Sequence, residues 1–374
     1  MIKVLVVDDS ALMRRVLTAI IGGEPDMDVA TARDGAQALD LLHAFRPDVV
    51  TLDVTMPGMD GLACLDRIMV ERPCPVVMLS SLTAAGAEVT LQALQLGAVD
   101  FIAKPAGTVS LALDELGALL IDRIRTAATA RVRRAHRLTE RVRARAAGAL
   151  AGGKPAPRPA ARQSAPTLPV PPECAALGHV AGAPADALVL VGTSTGGPPA
   201  LDALLAPLPA DFPWPIVVAQ HMPASFTGPL ARRLDRMCAL RVSEVTAAVA
   251  PQPGCAYIAR GDADLIFSTR AGVPVILAAP SRAEHRWHPS VDRMVQSAMK
   301  HVNPARLVGV LMTGMGNDGA TAMTNLHRAG GRTIAEAEET AVVWGMPGEL
   351  VRAGGADVVA PLGRIAAQLL DWAR

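Results

Sequence analysis

Ile2-Lys3-Val4-Leu5-Val6-Val7-Asp8-Asp9 is a short run of β-branched and aliphatic residues that stops on two adjacent carboxylates. It is too short for a helix, and its residue types favour a strand. Similar runs recur at residues 49–52, 76–79 and 101–103, ending on Asp53, Ser80 and Lys104-Pro105. Between them, Leu12-Met13, Val16-Leu17 and Ile20-Ile21 repeat at helical spacing, as do the apolar positions of residues 36–42 and 62–70. Strands alternating with helices predict a parallel sheet covered by helices on both faces. In such a sheet, sites form beyond the carboxyl ends of the strands. Asp8, Asp9, Asp53, Ser80 and Lys104 are therefore predicted to converge. Three carboxylates a few ångströms apart repel by roughly several kcal/mol per pair at an effective dielectric near 20. A hard divalent cation with oxygen ligands, Mg²⁺ being the expected one, would relieve that repulsion. Alone, Asp9 or Ser10 reads as a helix cap and Lys104 as a solvated loop residue; the joint placement argues for a site.

Outward from this first unit, 374 residues is enough for at least two domains, each with its own core. Half the chain is hydrophobic and only 3% aromatic, so the cores must come from Val, Leu, Ile, Ala and Met. Few rings remain for stacking on nucleic acid. The net charge of +1 hides an asymmetry. Between Arg123 and Arg162, twelve Lys and Arg face one acid, Glu140, so that segment carries +11 and the remainder −10. From Gly148 to about Pro184 the Ala/Pro/Gly/Arg composition cannot bury enough apolar surface to fold and reads as a flexible linker. The expected organisation is an α/β domain over 1–122, a basic linker over 123–184 and a second α/β domain over 185–374. The amino-terminal run is unlike a signal peptide, and no stretch approaches the length needed to cross a bilayer, so a cytoplasmic protein is expected. Cys64, Cys74, Cys174, Cys238 and Cys255 are scattered, without metal-ligand spacing, and read as reduced thiols.

From Ala187, strand-like runs at residues 188–191, 216–218, 257–258, 275–277, 307–312 and 332–334 alternate with helical stretches. A doubly wound, mainly parallel sheet is expected. Its first strand runs into Gly192-Thr193-Ser194-Thr195-Gly196-Gly197, followed by a helix-compatible stretch. That places a hydroxyl beside backbone N–H donors at the positive end of a helix, which suits a phosphate cradle or a nucleophile. A phosphate loop would end in Gly-Lys-Ser/Thr, and there is no lysine here. A nucleophilic serine needs a base and a group to orient that base. His221, in Gln220-His221-Met222-Pro223, follows one strand, and Asp318, in Thr313-Gly314-Met315-Gly316-Asn317-Asp318-Gly319, follows another. The other histidines are less well placed: His43, His136, His301 and His327 read as helix-surface residues, His179 as linker, and His285 and His288 as a polar loop.

The first set of residues, with Pro57-Gly58-Met59-Asp60-Gly61, resembles the receiver domain of two-component response regulators over about 120 residues. The resemblance implies a flavodoxin-like, five-stranded parallel sheet in which Asp53 is phosphorylated by a histidine kinase. It implies that Asp8, Asp9 and Asp53 hold Mg²⁺ with the backbone carbonyl of Thr55, that Ser80 and Lys104 contact the phosphoryl group, and that Phe101 is the aromatic switch. Phosphoryl transfer needs such positioning and charge cancellation more than covalent work.

The order Ser, His, Asp differs from that of α/β-hydrolases. The second set resembles instead the catalytic domain of the chemotaxis protein-glutamate methylesterases, the CheB family. The resemblance is carried by Ser194-Thr195-Gly196-Gly197, Gln220-His221-Met222-Pro223, His288-Pro289-Ser290-Val291-Asp292, residues 311–319 and Trp344-Gly345-Met346-Pro347. It implies hydrolysis of γ-glutamyl methyl esters on methyl-accepting chemotaxis receptors, with release of methanol and often deamidation of receptor glutamines. Ser194 would attack, His221 would act as base and acid, and Asp318 would orient His221. The backbone N–H of Met315 and donors around Thr195 and Gly196 would form the oxyanion hole. No cofactor is expected for this domain, a chemotaxis histidine kinase is the expected phosphodonor, and a monomer is expected. The receiver would hinder access to Ser194 until Asp53 is phosphorylated. Glu336, Trp344 and Trp287-His288 depart from the common family pattern and bear on substrate preference. A DNA-binding response regulator, suggested by the arginines of 123–162, lacks a following helix-turn-helix pattern. A non-catalytic signalling adaptor is disfavoured by the intact Ser194, His221 and Asp318. The basic linker itself reads as a solvated tether, with steering to acidic surfaces as the other reading.

Overall fold

The computed structural model describes residues 1–104, 112–131 and 186–374. Strands β1 (Ile2–Val7), β2 (Met27–Ala32), β3 (Val49–Asp53), β4 (Val76–Ser80) and β5 (Asp100–Ala103) form a sheet in the order β2-β1-β3-β4-β5, with every neighbour parallel. Helices α1 (Ala11–Gly22), α2 (Gly35–Ala44), α3 (Gly61–Glu71), α4 (Ala84–Leu96) and α5 (Ala112–Thr129) accompany it. The inner strands β3 and β4 are buried along their whole length, which is why they read as continuous apolar runs. Edge strand β2, Met27-Asp28-Val29-Ala30-Thr31-Ala32, is half exposed and mixed in character, and so gave no such signal. Ser10, Asp34, Asp60 and Thr83 each accept the N–H of the residue three positions on, capping α1 to α4. Each cap is worth about 1 kcal/mol. Arg123 and Arg125, counted with the basic stretch in the sequence, lie on α5, where Arg125 pairs with Glu24 and Asp26 at 2.6 and 2.9 Å. The basic stretch beyond 131, with Pro105, His136, Cys174 and His179, lies outside the described residues.

Gly61 shows why the turn after Pro57 must end on a residue without a Cβ. A Cβ there would sit 2.2 Å from the backbone oxygen of Asp53 and 2.9 Å from Val54 Cα. Gly61→Ala is expected to lower the stability of this unit by about 1–3 kcal/mol. Thermal unfolding measures it, and an unchanged melting temperature would show that the turn can relax.

The second sheet is built from β6 (Leu188–Thr193), β7 (Ile216–Gln220), β8 (Arg241–Val245), β9 (Cys255–Ala259), β12 (Leu307–Leu311), β13 (Arg332–Glu336) and β14 (Val358–Ala360). Its order is β14-β13-β12-β6-β7-β9-β8, again parallel throughout. Helices α6 (Gly197–Leu205), α7 (Ala224–Met237), α8 (Val291–His301), α9 (Ala320–Arg328), α10 (Met346–Arg352) and α11 (Leu362–Trp372) accompany it. Residues 275–277, expected in this sheet, belong instead to an antiparallel ribbon of β10 (Ala263–Arg270) and β11 (Val273–Pro280). The reason is local: only Ala271 and Gly272 join the two strands, at φ 48° and 79°. Two consecutive left-handed residues make a hairpin turn, which can connect only antiparallel strands. The order in which strands are added reverses at β6, with β7 on one side and β12 on the other. That reversal opens a crevice at the carboxyl ends of these three strands. Among the described residues, no helix is long and apolar enough to cross a membrane.

Candidate active site

Ser194 is the first residue after β6, and backbone bonds hold it from both neighbouring strands. Its N–H donates to Thr313 O at 2.9 Å, and His221 N–H donates to Thr193 O at 3.1 Å. Gln220 Nε2 donates to the carbonyls of Ser194 and His221 at 3.0 and 3.1 Å. Glycines allow the close approach. A Cβ on Gly197 would lie 1.9 Å from Gln220 Oε1, and one on Gly314 would lie 2.8 Å from Ser194 Cβ. The Gly314 backbone, next to Met315, is thereby brought up to the serine, while Gly196, at φ +75°, opens α6.

The three strand-end residues meet here. His221 Nε2 lies 2.8 Å from Asp318 Oδ2. Ser194 Oγ and His221 Nδ1, the two atoms left over, are buried without a hydrogen-bond partner. Leaving a buried polar group unpaired costs about 1–3 kcal/mol, and such orphans in a native fold call for a functional explanation. Asp318 is held at the amino end of α8, accepting from Val291 N–H at 2.7 Å, Asp292 N–H at 3.0 Å and Ser290 Oγ at 3.1 Å. Burial pushes its carboxyl up, but the donors from His221 and the α8 backbone outweigh burial and hold it below the usual carboxylate range. Trp287 stacks on the His221 imidazole, with ring centroids 5.6 Å apart and planes within 11°.

At the carboxyl end of the first sheet, the ligand atoms of Asp8, Asp9 and Asp53 lie within 4.8 Å of one another. Lys104 Nζ sits 2.8 Å from Asp8 Oδ2 and 2.9 Å from Asp53 Oδ1. Burial raises the Asp53 carboxyl against the opposing pull of Lys104, and the Asp8 carboxylate adds to the rise. Three carboxylates against one ammonium leave an all-oxygen donor set with surplus negative charge, which fits a hard divalent cation. Ser80 stands apart from this cluster: its Oγ is hydrogen-bonded to Thr90 Oγ1 on α4 at 2.6 Å.

Apart from Phe101, the first sheet's unit touches the second site through side chains to which the sequence alone assigned no role. Asp122, Arg123 and Thr126 form one face of α5. Arg123 donates to Thr195 Oγ1 at 2.7 Å, and both Arg123 and Thr195 bond Asp100 of β5. Thr126 Oγ1 lies 3.5 Å from Met315 Sδ, and Asp122 pairs with Arg286 at 3.4 Å. Phe101 packs its ring on Phe226 of α7, with centroids 4.3 Å apart. The only sequence trace of this contact is the helical spacing of 122, 123 and 126, which carries no partner information.

Comparison with known proteins gives these two sites a lineage. Residues 189–369 match the family model described as CheB methylesterase, and residues 4–113 match the response regulator receiver domain. A protein-glutamate methylesterase/protein-glutamine glutaminase of Rhodopseudomonas palustris is 56% identical over the full chain and 98% of its own length. The chain belongs to the CheB methylesterase family. A Rhodospirillum rubrum protein with the same description is 50% identical over the full chain and 96% of its own length. The catalytic domain of Thermotoga maritima CheB methylesterase is 38% identical, with a TM-score of 0.48 over 50% of this chain and 98% of that one. Glu336 and Trp344, expected from the sequence to bear on substrate preference, stand behind the serine turn. Glu336 is buried and accepts from Thr313 N–H at 2.8 Å and Thr340 Oγ1 at 2.9 Å, and its carbonyl accepts from Trp344 Nε1 at 2.9 Å. Trp287, which carries the same expectation, touches His221 itself.

Proposed function

We propose that this chain is a phosphorylation-controlled serine esterase that demethylates glutamyl methyl esters on methyl-accepting chemotaxis receptors. The observation that carries the reading is the buried pair of unpartnered atoms, Ser194 Oγ and His221 Nδ1, beside a His221–Asp318 bond of 2.8 Å. Ser194 Oγ attacks the ester carbonyl while His221 Nδ1 takes its proton. His221 returns that proton to the departing methoxide, methanol leaves, and an acyl-Ser194 remains. Water, deprotonated by the same nitrogen, then releases the glutamate side chain and restores Ser194. Asp318 keeps the proton on Nε2, so that Nδ1 is the free base. The Met315 N–H and the donors around Thr195 and Gly196 face the oxyanion, each worth on the order of 3 kcal/mol. With ammonia leaving in place of methanol, the same steps deamidate a glutamine, the second activity in the relatives' description.

Control enters through Asp53, phosphorylated by a chemotaxis histidine kinase in the cytoplasm. Asp8, Asp9 and Asp53, with the Thr55 backbone carbonyl, would hold Mg²⁺, whose charge offsets that of the phosphoryl oxygens when it is bound. Lys104 contacts the phosphoryl group, and Ser80 turns towards it by leaving Thr90. Phe101 then repacks against Phe226, and the grip of Asp100 and Arg123 on Thr195 loosens. The assay is methanol release from methylated receptor membranes with and without a small-molecule phosphodonor. Equal rates in wild type and Asp53→Ala under phosphodonor would end the regulatory reading.

Arg123→Ala should raise the rate without phosphodonor by roughly thirtyfold or more, up to the rate of the fully released enzyme. Truncating one member of a buried, hydrogen-bonded charge pair costs about 2–5 kcal/mol, here charged to the state in which α5 covers Thr195. A basal rate equal to wild type in the same membrane assay would show that this contact does not restrain the esterase.

A further inference from the structure

We propose that Trp287 is a positioning residue of the esterase, its indole fixing the plane of the His221 imidazole, on which the reach of Nδ1 to Ser194 depends. The inference rests on the serine-esterase reading above. Asp318 holds the imidazole at one atom, Nε2. One hydrogen bond fixes where that atom lies but leaves the ring plane free to tilt. The plane decides where Nδ1 points, and near-attack geometry tolerates little error. A parallel neighbour at 5.6 Å and 11° supplies the missing restraint in an offset-stacked arrangement.

The indole is itself held on several sides. Immediately after it, His288 Nδ1 bonds Asp264 Oδ1 at 2.9 Å, and Asp264 is tied in turn to Ser290 N–H at 2.7 Å and Arg293 at 2.6 Å. Across the site, Trp287 Nε1 abuts Gly316, where an added Cβ would come within 3.4 Å of it. Immediately before it, Arg286 lays its guanidinium over the indole at 4.9 Å. Residues 281–286 are otherwise mostly exposed, so an aromatic placed here and pinned this firmly is not explained by core packing. The restraint acts on the chemical step and not on the binding of ester.

The test uses the full chain with phosphodonor present, reading kcat and KM for methanol release from methylated receptor membranes in wild type, Trp287→Leu, Trp287→Phe and Ser194→Ala. Trp287→Leu should lose about tenfold in kcat, equivalent to about 1.4 kcal/mol, with KM within twofold of wild type. Trp287→Phe, which keeps a stacking ring, should recover most of that loss. Because Trp287 is half-buried in a loop, both variants should melt within a few degrees of wild type, and Trp287→Phe guards against a folding defect in the leucine variant. A leucine variant with kcat within twofold of wild type, a loss confined to KM, or phenylalanine no better than leucine would each overturn the inference. The control separates two failures. If Ser194→Ala keeps its activity, the serine reading itself falls; if Ser194→Ala is silent while Trp287→Leu is fully active, only the role of Trp287 falls.

Discussion

Ser194→Ala is expected to abolish methanol release, on the order of 10⁵–10⁶-fold in kcat, the scale on which serine hydrolases lose activity without their nucleophile. The same variant should fold at least as well as wild type. The hydroxyl it removes is buried and without a hydrogen-bond partner, so its loss breaks no bond and relieves a desolvation cost of about 1–3 kcal/mol. The backbone bonds that place residue 194, from its N–H to Thr313 O and from Gln220 Nε2 to its carbonyl, do not involve the side chain. A silent enzyme with an equal or higher melting temperature is therefore the joint expectation. Methanol release and thermal unfolding on one preparation test both halves. Retained turnover would show that another residue supplies the nucleophile, and a lower melting temperature would show that the hydroxyl has a structural partner.

Asp318→Asn should cost on the order of 10⁴ in kcat, because the amide keeps the shape but loses the charge and one of the two acceptor oxygens that would hold the proton on His221 Nε2. Four donors point at Asp318: His221, Val291 N–H, Asp292 N–H and the Ser290 hydroxyl. An asparagine must turn its own N–H₂ towards some of these donors, so stability falls as well. The pH dependence has a definite sign. The folded carboxyl titrates below its ordinary value, so the stabilisation it gives is present above the unfolded value of about 3.9 and is lost as pH falls through the lower folded value. The gap in melting temperature between wild type and Asp318→Asn should accordingly be widest at neutral pH and close below about pH 4. A gap that stays constant from pH 7 to pH 2 would mean that the loss comes from packing and not from charge.

Much of this architecture was legible because parallel strands buried on both faces read as unbroken apolar runs, and because their carboxyl ends carry the polar residues. Residues 4–7, 49–52, 188–191 and 307–312 announced both the sheets and the turns that hold Asp8, Asp53, Ser194 and Asp318. Strands at the margins were less visible. β2 and β8 are exposed on one side, and the three-residue β14 is too short to show a period. Residues 275–277, within β11, read as part of the parallel sheet because apolar runs carry no direction; the turn at Ala271-Gly272 sets it. His288, read as a loop residue, is one, but its bond to the buried Asp264 gives it a fixed place.

The amino-acid sequence by itself determined the two α/β units, the strand ends at which chemistry collects, and the identities of the serine, histidine and carboxylates gathered there. These follow from local periodicity and from glycines that only a close backbone approach can require. Tertiary structure alone decided which nitrogen of His221 faces Asp318, that Trp287 lies flat on that ring, that Ser80 turns to Thr90, and that Asp100 and Arg123 of one unit grip Thr195 of the other. Each is a side-chain contact between segments from 10 to about 100 residues apart, fixed by how helices and loops pack across strand ends, and no spacing along the chain encodes a distance of that kind.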